Sequence, residues 1–118
     1  RMMKAHKTPA KAICEMLKRR HLAPTHSSVA YLPNSEKDLL VISEVPDIFI
    51  TGEVHRLDFE NYNGILVVTG SCWQNQTSFE EKIGNLPDPA KVPVLNLKTR
   101  EIKIFDFGVK GKILDEYQ

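Results

Sequence analysis

The sequence predicts an α/β chain in which one N-terminal helix leads into a strand-rich body. Three observations carry this. Ile13, Met16 and Leu17 recur at helical spacing within Pro9–His21, where most residues favour helix. From Asp38 onward the apolar residues gather in short runs, such as Leu39–Ile42 and Ile48–Ile50, that suit strands buried on both faces. Turn-forming residues, among them Pro46, Gly52 and Asn63-Gly64, separate those runs.

Thr8-Pro9 opens the helix, because threonine can cap and proline suits the first helical position. Leu22-Ala23-Pro24 ends it, since the residue before a proline avoids helical torsions. Residues 25–37 are mostly polar and read as a surface loop. Leu39-Leu40-Val41-Ile42 follows as a strand, Pro46 breaks it, and Asp47–Thr51 makes a second. After Gly52, Val54–Asn61 partly alternates as a strand. Tyr62-Asn63-Gly64 then marks a hairpin, because Asn-Gly accepts the positive φ angles of a type I′ turn. Ile65–Thr69 returns as its partner, and Thr77–Ile83 suits a short helix. Val92–Leu97 and Glu101–Phe107 form a closing hairpin through Lys98-Thr99-Arg100, and the last eleven residues read as a frayed polar tail. Strands buried on both faces need a layer on each side. With one substantial helix to supply it, the sheet is expected to be under-covered.

The 118 residues suffice for about one domain at ~100–200 residues per domain. Hydrophobic residues make up 42% and charged residues 26%, as in a soluble globular chain. No apolar run approaches the ~20 residues of a transmembrane helix, and no segment has the layout of a secretory signal. The expected setting is cytoplasmic, with no membrane partner. Cys14 and Cys72 lie far apart, against both a disulfide framework and a four-cysteine zinc site. The chain opens on Arg1-Met2-Met3, so it is expected either to have been processed or to continue something upstream.

Charge is uneven although the net value is only +1. Residues 1–24 hold seven Lys/Arg against one acid, Glu15, whereas the remainder is acidic on balance. Lys18-Arg19-Arg20 therefore reads either as a patch facing phosphate or as a solvated helix end, where cations complement the macrodipole.

The most suggestive chemistry lies in Phe49-Ile50-Thr51-Gly52-Glu53-Val54-His55. A buried strand delivers the chain to a glycine turn, and two potential metal ligands follow two residues apart. Loops beyond strand ends are where α/β proteins place reactive groups, and a carboxylate with an imidazole suits Mn, Fe or Zn. The spacing alone also arises by chance, and a histidine at a strand start is usually just packed or solvated. His6, His21 and His26 do not complete a site by spacing, and HExxH, GxGxxG, P-loop and GxSxG patterns are absent. Cys72 reads as a packed strand end rather than a nucleophile. Trp73, followed by Gln74, Asn75, Gln76 and Thr77, reads either as a self-satisfied turn or as a surface for a nucleotide edge or phosphate.

Together these segments resemble one family. Pro9-x-x-Ala12 leading to Met16-Leu17-Lys18-Arg19-Arg20-His21-Leu22-Ala23-Pro24 is similar to a signature of the small subunit of archaeal D-family DNA polymerase. Leu40-Val41-Ile42, Val45-Pro46-Asp47-Ile48-Phe49 and Thr51-Gly52-Glu53-Val54-His55 follow in the family's order. So do Tyr62-Asn63-Gly64-Ile65-Leu66, Ser71-Cys72-Trp73-Gln74-x-Gln76-Thr77-x-Phe79, and Pro87-x-Pro89-x-Lys91-Val92-Pro93-Val94-x-Asn96-Leu97.

The resemblance implies the C-terminal half of a calcineurin-like phosphoesterase sandwich, two packed sheets flanked by helices. Residues 1–107 would be the C-terminal part of that domain and 108–118 a polar tail. It implies a site for two divalent metal ions, Mn or similar, acting in phosphodiester hydrolysis, 3′–5′ exonuclease proofreading, contact with DNA, and docking to a large polymerising subunit. The family's ligands come from Asp-x-His, Gly-Asp, Gly-Asn-His, a later His and a final Gly-His-x-His; only the last has a counterpart here. Gly52 makes the turn, His55 matches the second histidine as a metal ligand, and Glu53 stands in place of the first. Lys18, Arg19, Arg20, Trp73, Gln74 and Gln76 are candidate DNA or partner contacts. Two functions follow: a segment of an active exonuclease subunit, or a phosphoesterase-like scaffold that has lost catalysis and only links the large subunit and DNA. None of these residues is assigned a certain catalytic role.

Overall fold

The computed structural model describes residues 7–25, 29–30, 34, 36–108 and 112–117; His6 and His26 lie outside the described residues. In chain order the elements are α1 (Pro9–Arg19), β1 (Ile48–Thr51), β2 (Asp58–Tyr62), β3 (Ile65–Thr69), α2 (Ser78–Ile83), β4 (Lys91–Leu95), β5 (Ile102–Asp106) and β6 (Lys112–Tyr117). They make a mixed α/β fold of two three-stranded sheets, ordered β1-β3-β2 and β4-β5-β6.

Pro9 occupies the first turn of α1, but the Thr8 side chain makes no capping bond. Asp58 Oδ2 instead accepts the Ala10 N–H at 3.1 Å, setting a carboxylate where the helix macrodipole is positive. The helix ends at Arg19, earlier than the Pro24 signal suggests, because Arg20 takes a left-handed conformation at φ 54°. The Arg20 side chain then fastens this end: Nε donates to the Ile42 carbonyl and Nη2 to that of Ser43, each at 2.8 Å.

β3 is the central strand of the first sheet, parallel to β1 and antiparallel to β2. The turn between β2 and β3 has Asn63 and Gly64 at φ 48° and 81°, as the Asn-Gly signal requires. Alternation along β3 builds both cores. Ile65 and Val67 pack with Ala10, Cys14 and Leu17 of α1. Val68 and Leu66 join Phe59 of β2 and Leu95, Ile102 and Ile104 of the second sheet. Burial of such side chains contributes about 1.5–3 kcal/mol each, and a one-residue slip would exchange the two faces. Arg100 ties the sheets at one end, donating to the Gly64 carbonyl and to Asp47 Oδ1, both at 3.1 Å.

Three further expectations are corrected. Leu39–Ile42 is not a buried strand: it makes a single bridge, Val41 to His21, and Leu39 is 69% exposed. Its run of apolar side chains states a preference for burial but supplies no partner, and the central place went to β3. In β1, likewise, Ile50 is 70% exposed, because it takes no part in the core that Phe59, Leu66 and Val68 build with the second sheet. Within the expected tail at 108–118, Lys112–Tyr117 forms β6 along β5, since the open edge of β5 offers backbone donors and acceptors to any following chain. The expected shortage of cover is visible in the exposure of Ile50, Val94 and Leu97. Among the described residues no helix is long and apolar enough to cross a membrane.

Candidate functional site

Beyond Gly52, both Glu53 and His55 adopt left-handed conformations, at φ 73° and 58°. That region costs an L-residue about 1–2 kcal/mol, and glutamate lacks the local compensation that favours Asn, Asp or His there. The loop holds this shape through specific contacts. The Val54 N–H donates to the Gly52 carbonyl at 3.0 Å, and the Asp88 N–H donates to that of His55 at 2.8 Å. Asn85 Nδ2 reaches the Val54 carbonyl at 3.4 Å. Glu53 is exposed, and its side chain has no hydrogen bond among the described residues.

His55 is anchored by its ring. Nδ1 lies 2.7 Å from Oε1 of Glu80, a carboxylate only 5% exposed. Glu80 is in the first turn of α2, where it forms a reciprocal capping box with Thr77. Its Oε2 accepts from the Thr77 N–H at 2.9 Å and from Thr77 Oγ1 at 3.0 Å, and Asn85 Nδ2 donates to Oε1 at 3.2 Å. The Thr77 backbone N–H is foremost in holding the carboxyl down at about 2; burial opposes it, and the His55 and Thr77 side chains reinforce it. Nε2 of His55 makes no hydrogen bond among the described residues, and the side chain is partly exposed. One ring nitrogen is therefore available to a ligand. Glu80 was not among the candidates read from sequence, although Thr77-x-x-Glu80 ahead of a short helix is the signal of a capping box.

No family model matches the chain. It is 42% identical over 104 residues to the DNA polymerase II small subunit of Pyrococcus abyssi, a match covering 87% of this chain and 17% of that protein. The corresponding protein of Halobacterium salinarum is 38% identical over 100 residues, 85% of this chain and 20% of that one. That of Methanocaldococcus jannaschii is 34% identical over 93 residues, 79% and 16% respectively. The chain is homologous to one segment of the archaeal DNA polymerase II small subunit. This bears out the family read from the motifs, and the segment spans about a sixth to a fifth of the length of these relatives.

Within this small-subunit segment the other candidates fall into two groups. Trp73, Gln74 and Gln76 follow the carboxyl end of β3, beside the His55 loop. Gln74 Nε2 approaches His55 Nδ1 at 3.4 Å, and Gln76 Nε2 donates to the Asn85 carbonyl at 2.8 Å. Trp73 is 73% exposed and tilted against Phe107, with ring centroids 6.0 Å apart. Cys72 is a free thiol whose Sγ lies 3.2 Å from the Gln74 carbonyl, inside the same turn. Lys18, Arg19 and Arg20 are at the other end of the first sheet, where Lys18 pairs with Glu15 at 2.6 Å and stands 5.9 Å from the Tyr62 ring centre. The structure thus does not bring the basic cluster to His55. Among the described residues no group of three or more His, Cys, Asp and Glu could hold a metal ion.

Proposed function

We propose that this segment supplies part of a divalent-metal centre to the small subunit of a replicative DNA polymerase, whose activity is 3′–5′ exonucleolytic proofreading. The observation that carries the reading is His55, held by one ring nitrogen at a strained turn, while the other makes no hydrogen bond among the described residues. The names of the curated relatives support the polymerase setting, and a small subunit presupposes a large catalytic partner. In this reading the two-sheet body is part of a calcineurin-like phosphoesterase domain.

The donor chemistry suits a divalent ion: an imidazole nitrogen and an exposed carboxylate, both within one turn. His55 Nε2 would be one ligand and Glu53 the second, with further ligands from the rest of the subunit. A bound divalent pair supplies Lewis acidity at the phosphate. The chain's own contribution is to hold His55 through Glu80 and Asp88, and to offer Trp73, with Gln74 beside it, to the DNA end.

The test is Mn²⁺-dependent digestion of a mismatched 3′ end by the full-length small subunit bound to its large subunit. His55→Ala abolishes digestion; unchanged digestion would remove His55 from the mechanism. Glu53, standing where the family carries histidine, favours a second reading as a scaffold without catalysis. A parent complex that assembles and binds DNA but digests nothing would establish that reading instead.

A further inference from the structure

Glu80 is more than the cap of a short helix. Its carboxylate accepts four hydrogen bonds, two at each oxygen, from His55, Asn85 and Thr77. A carboxylate offers about four lone-pair sites, so Glu80 has no capacity left for a ligand of its own. It is also held in place: Thr77 grips one oxygen, while Asn85 reaches both the other oxygen and the Val54 carbonyl just before His55.

An ionised carboxylate only accepts, so the 2.7 Å bond must be donated by His55 Nδ1. An Nδ1 that carries this proton cannot also accept from Gln74, whose 3.4 Å approach is therefore packing. In the neutral ring the lone pair then belongs to Nε2. We propose that Glu80 is a positioning residue: it fixes the His55 imidazole as the Nδ1–H tautomer and sets the ring angle, so that the Nε2 lone pair is presented for a metal ion. That the presented nitrogen receives a metal rests on the reading proposed above; the tautomer does not.

The experiment uses the full-length small subunit labelled with ¹⁵N-histidine, metal-free and at mildly alkaline pH. The His55 signals are assigned by their loss in His55→Ala, and multiple-bond ¹H–¹⁵N spectra identify the protonated nitrogen. The parent shows Nδ1–H. Glu80→Ala loses that tautomer, and Glu80→Gln, which keeps an acceptor oxygen, retains it. Thr77→Ala also retains it, because the variant removes the capping hydroxyl but not the Thr77 backbone donor. Calorimetric titration with Zn²⁺ weakens about 10–100-fold in Glu80→Ala, the usual effect of losing a partner behind a ligating histidine.

A parent ring protonated on Nε2 would overturn the proposal, and it does so even if Glu80→Ala fails to fold. So would an unchanged tautomer in Glu80→Ala, or a Thr77→Ala variant that matches Glu80→Ala in both readouts. An Nδ1–H parent whose His55 signals do not respond to Zn²⁺ upholds the role of Glu80 in setting the tautomer, and counts against the metal reading alone.

Discussion

Glu80 and His55 are 25 residues apart in sequence, yet a 2.7 Å hydrogen bond joins them and fastens the loop after β1 to the first turn of α2. The Thr77 N–H, acting first, and then the His55 ring depress the Glu80 carboxyl from its ordinary 4.5 to about 2. A carboxyl with a lower pKa in the folded chain than in the unfolded one stabilises the fold above its unfolded pKa, and the stabilisation fades as pH falls through the folded pKa. Glu80→Gln should therefore be less stable than the parent at neutral pH, with the gap closing between about pH 4.5 and 2. Urea midpoints measured across that range check it. Parallel acid limbs for parent and variant would mean that Glu80 is not the group responsible.

The basic cluster separates into unlike parts. Arg20 holds the carbonyls of Ile42 and Ser43 with two nitrogens of one planar group, a fork that lysine cannot reproduce. Arg20→Lys and Arg20→Ala should each cost about 1–2 kcal/mol, near the sum of two solvent-exposed hydrogen bonds. Arg19→Ala, at an exposed position of the same helix end, should stay within about 0.5 kcal/mol, as surface substitutions usually do. Equal losses at both positions by chemical denaturation would show that the fork contributes nothing.

What the sequence disclosed depended on how local the cause was. α1 and the Asn63-Gly64 turn were legible because spacing and torsional tolerance act within a few residues. The closing hairpin was legible through its alternation. The apolar run at Leu39–Ile42 was misleading: hydrophobicity states that a segment prefers burial, whereas the competition for the central place was decided by pairing of β3 with both β1 and β2. The cap of α1 was hidden for a similar reason, since its acceptor, Asp58, comes from a strand 48 residues on. At the site, the Gly52–His55 turn was visible as a motif. Neither the left-handed torsions of Glu53 and His55 nor the carboxylate behind the ring could be read there, because both depend on contacts with α2 and the chain that follows it.

Trp73 offers the most direct test of nucleic-acid contact near His55. An indole that is 73% exposed has little to lose in folding energy when truncated, so Trp73→Ala should leave the denaturation midpoint almost unchanged. If the ring stacks on an unpaired base, the same change removes about 1–3 kcal/mol of binding, a loss of roughly 5- to 150-fold in affinity for single-stranded DNA. Trp73→Phe, which keeps a smaller stacking face beside Phe107, should fall between the two. Anisotropy of a labelled oligonucleotide with the full-length small subunit measures all three. The exposed aromatic pair has one other physical use, as an anchor for a protein partner. In that case DNA affinity stays constant while binding of the large subunit weakens, so running both titrations on the same variants assigns the surface.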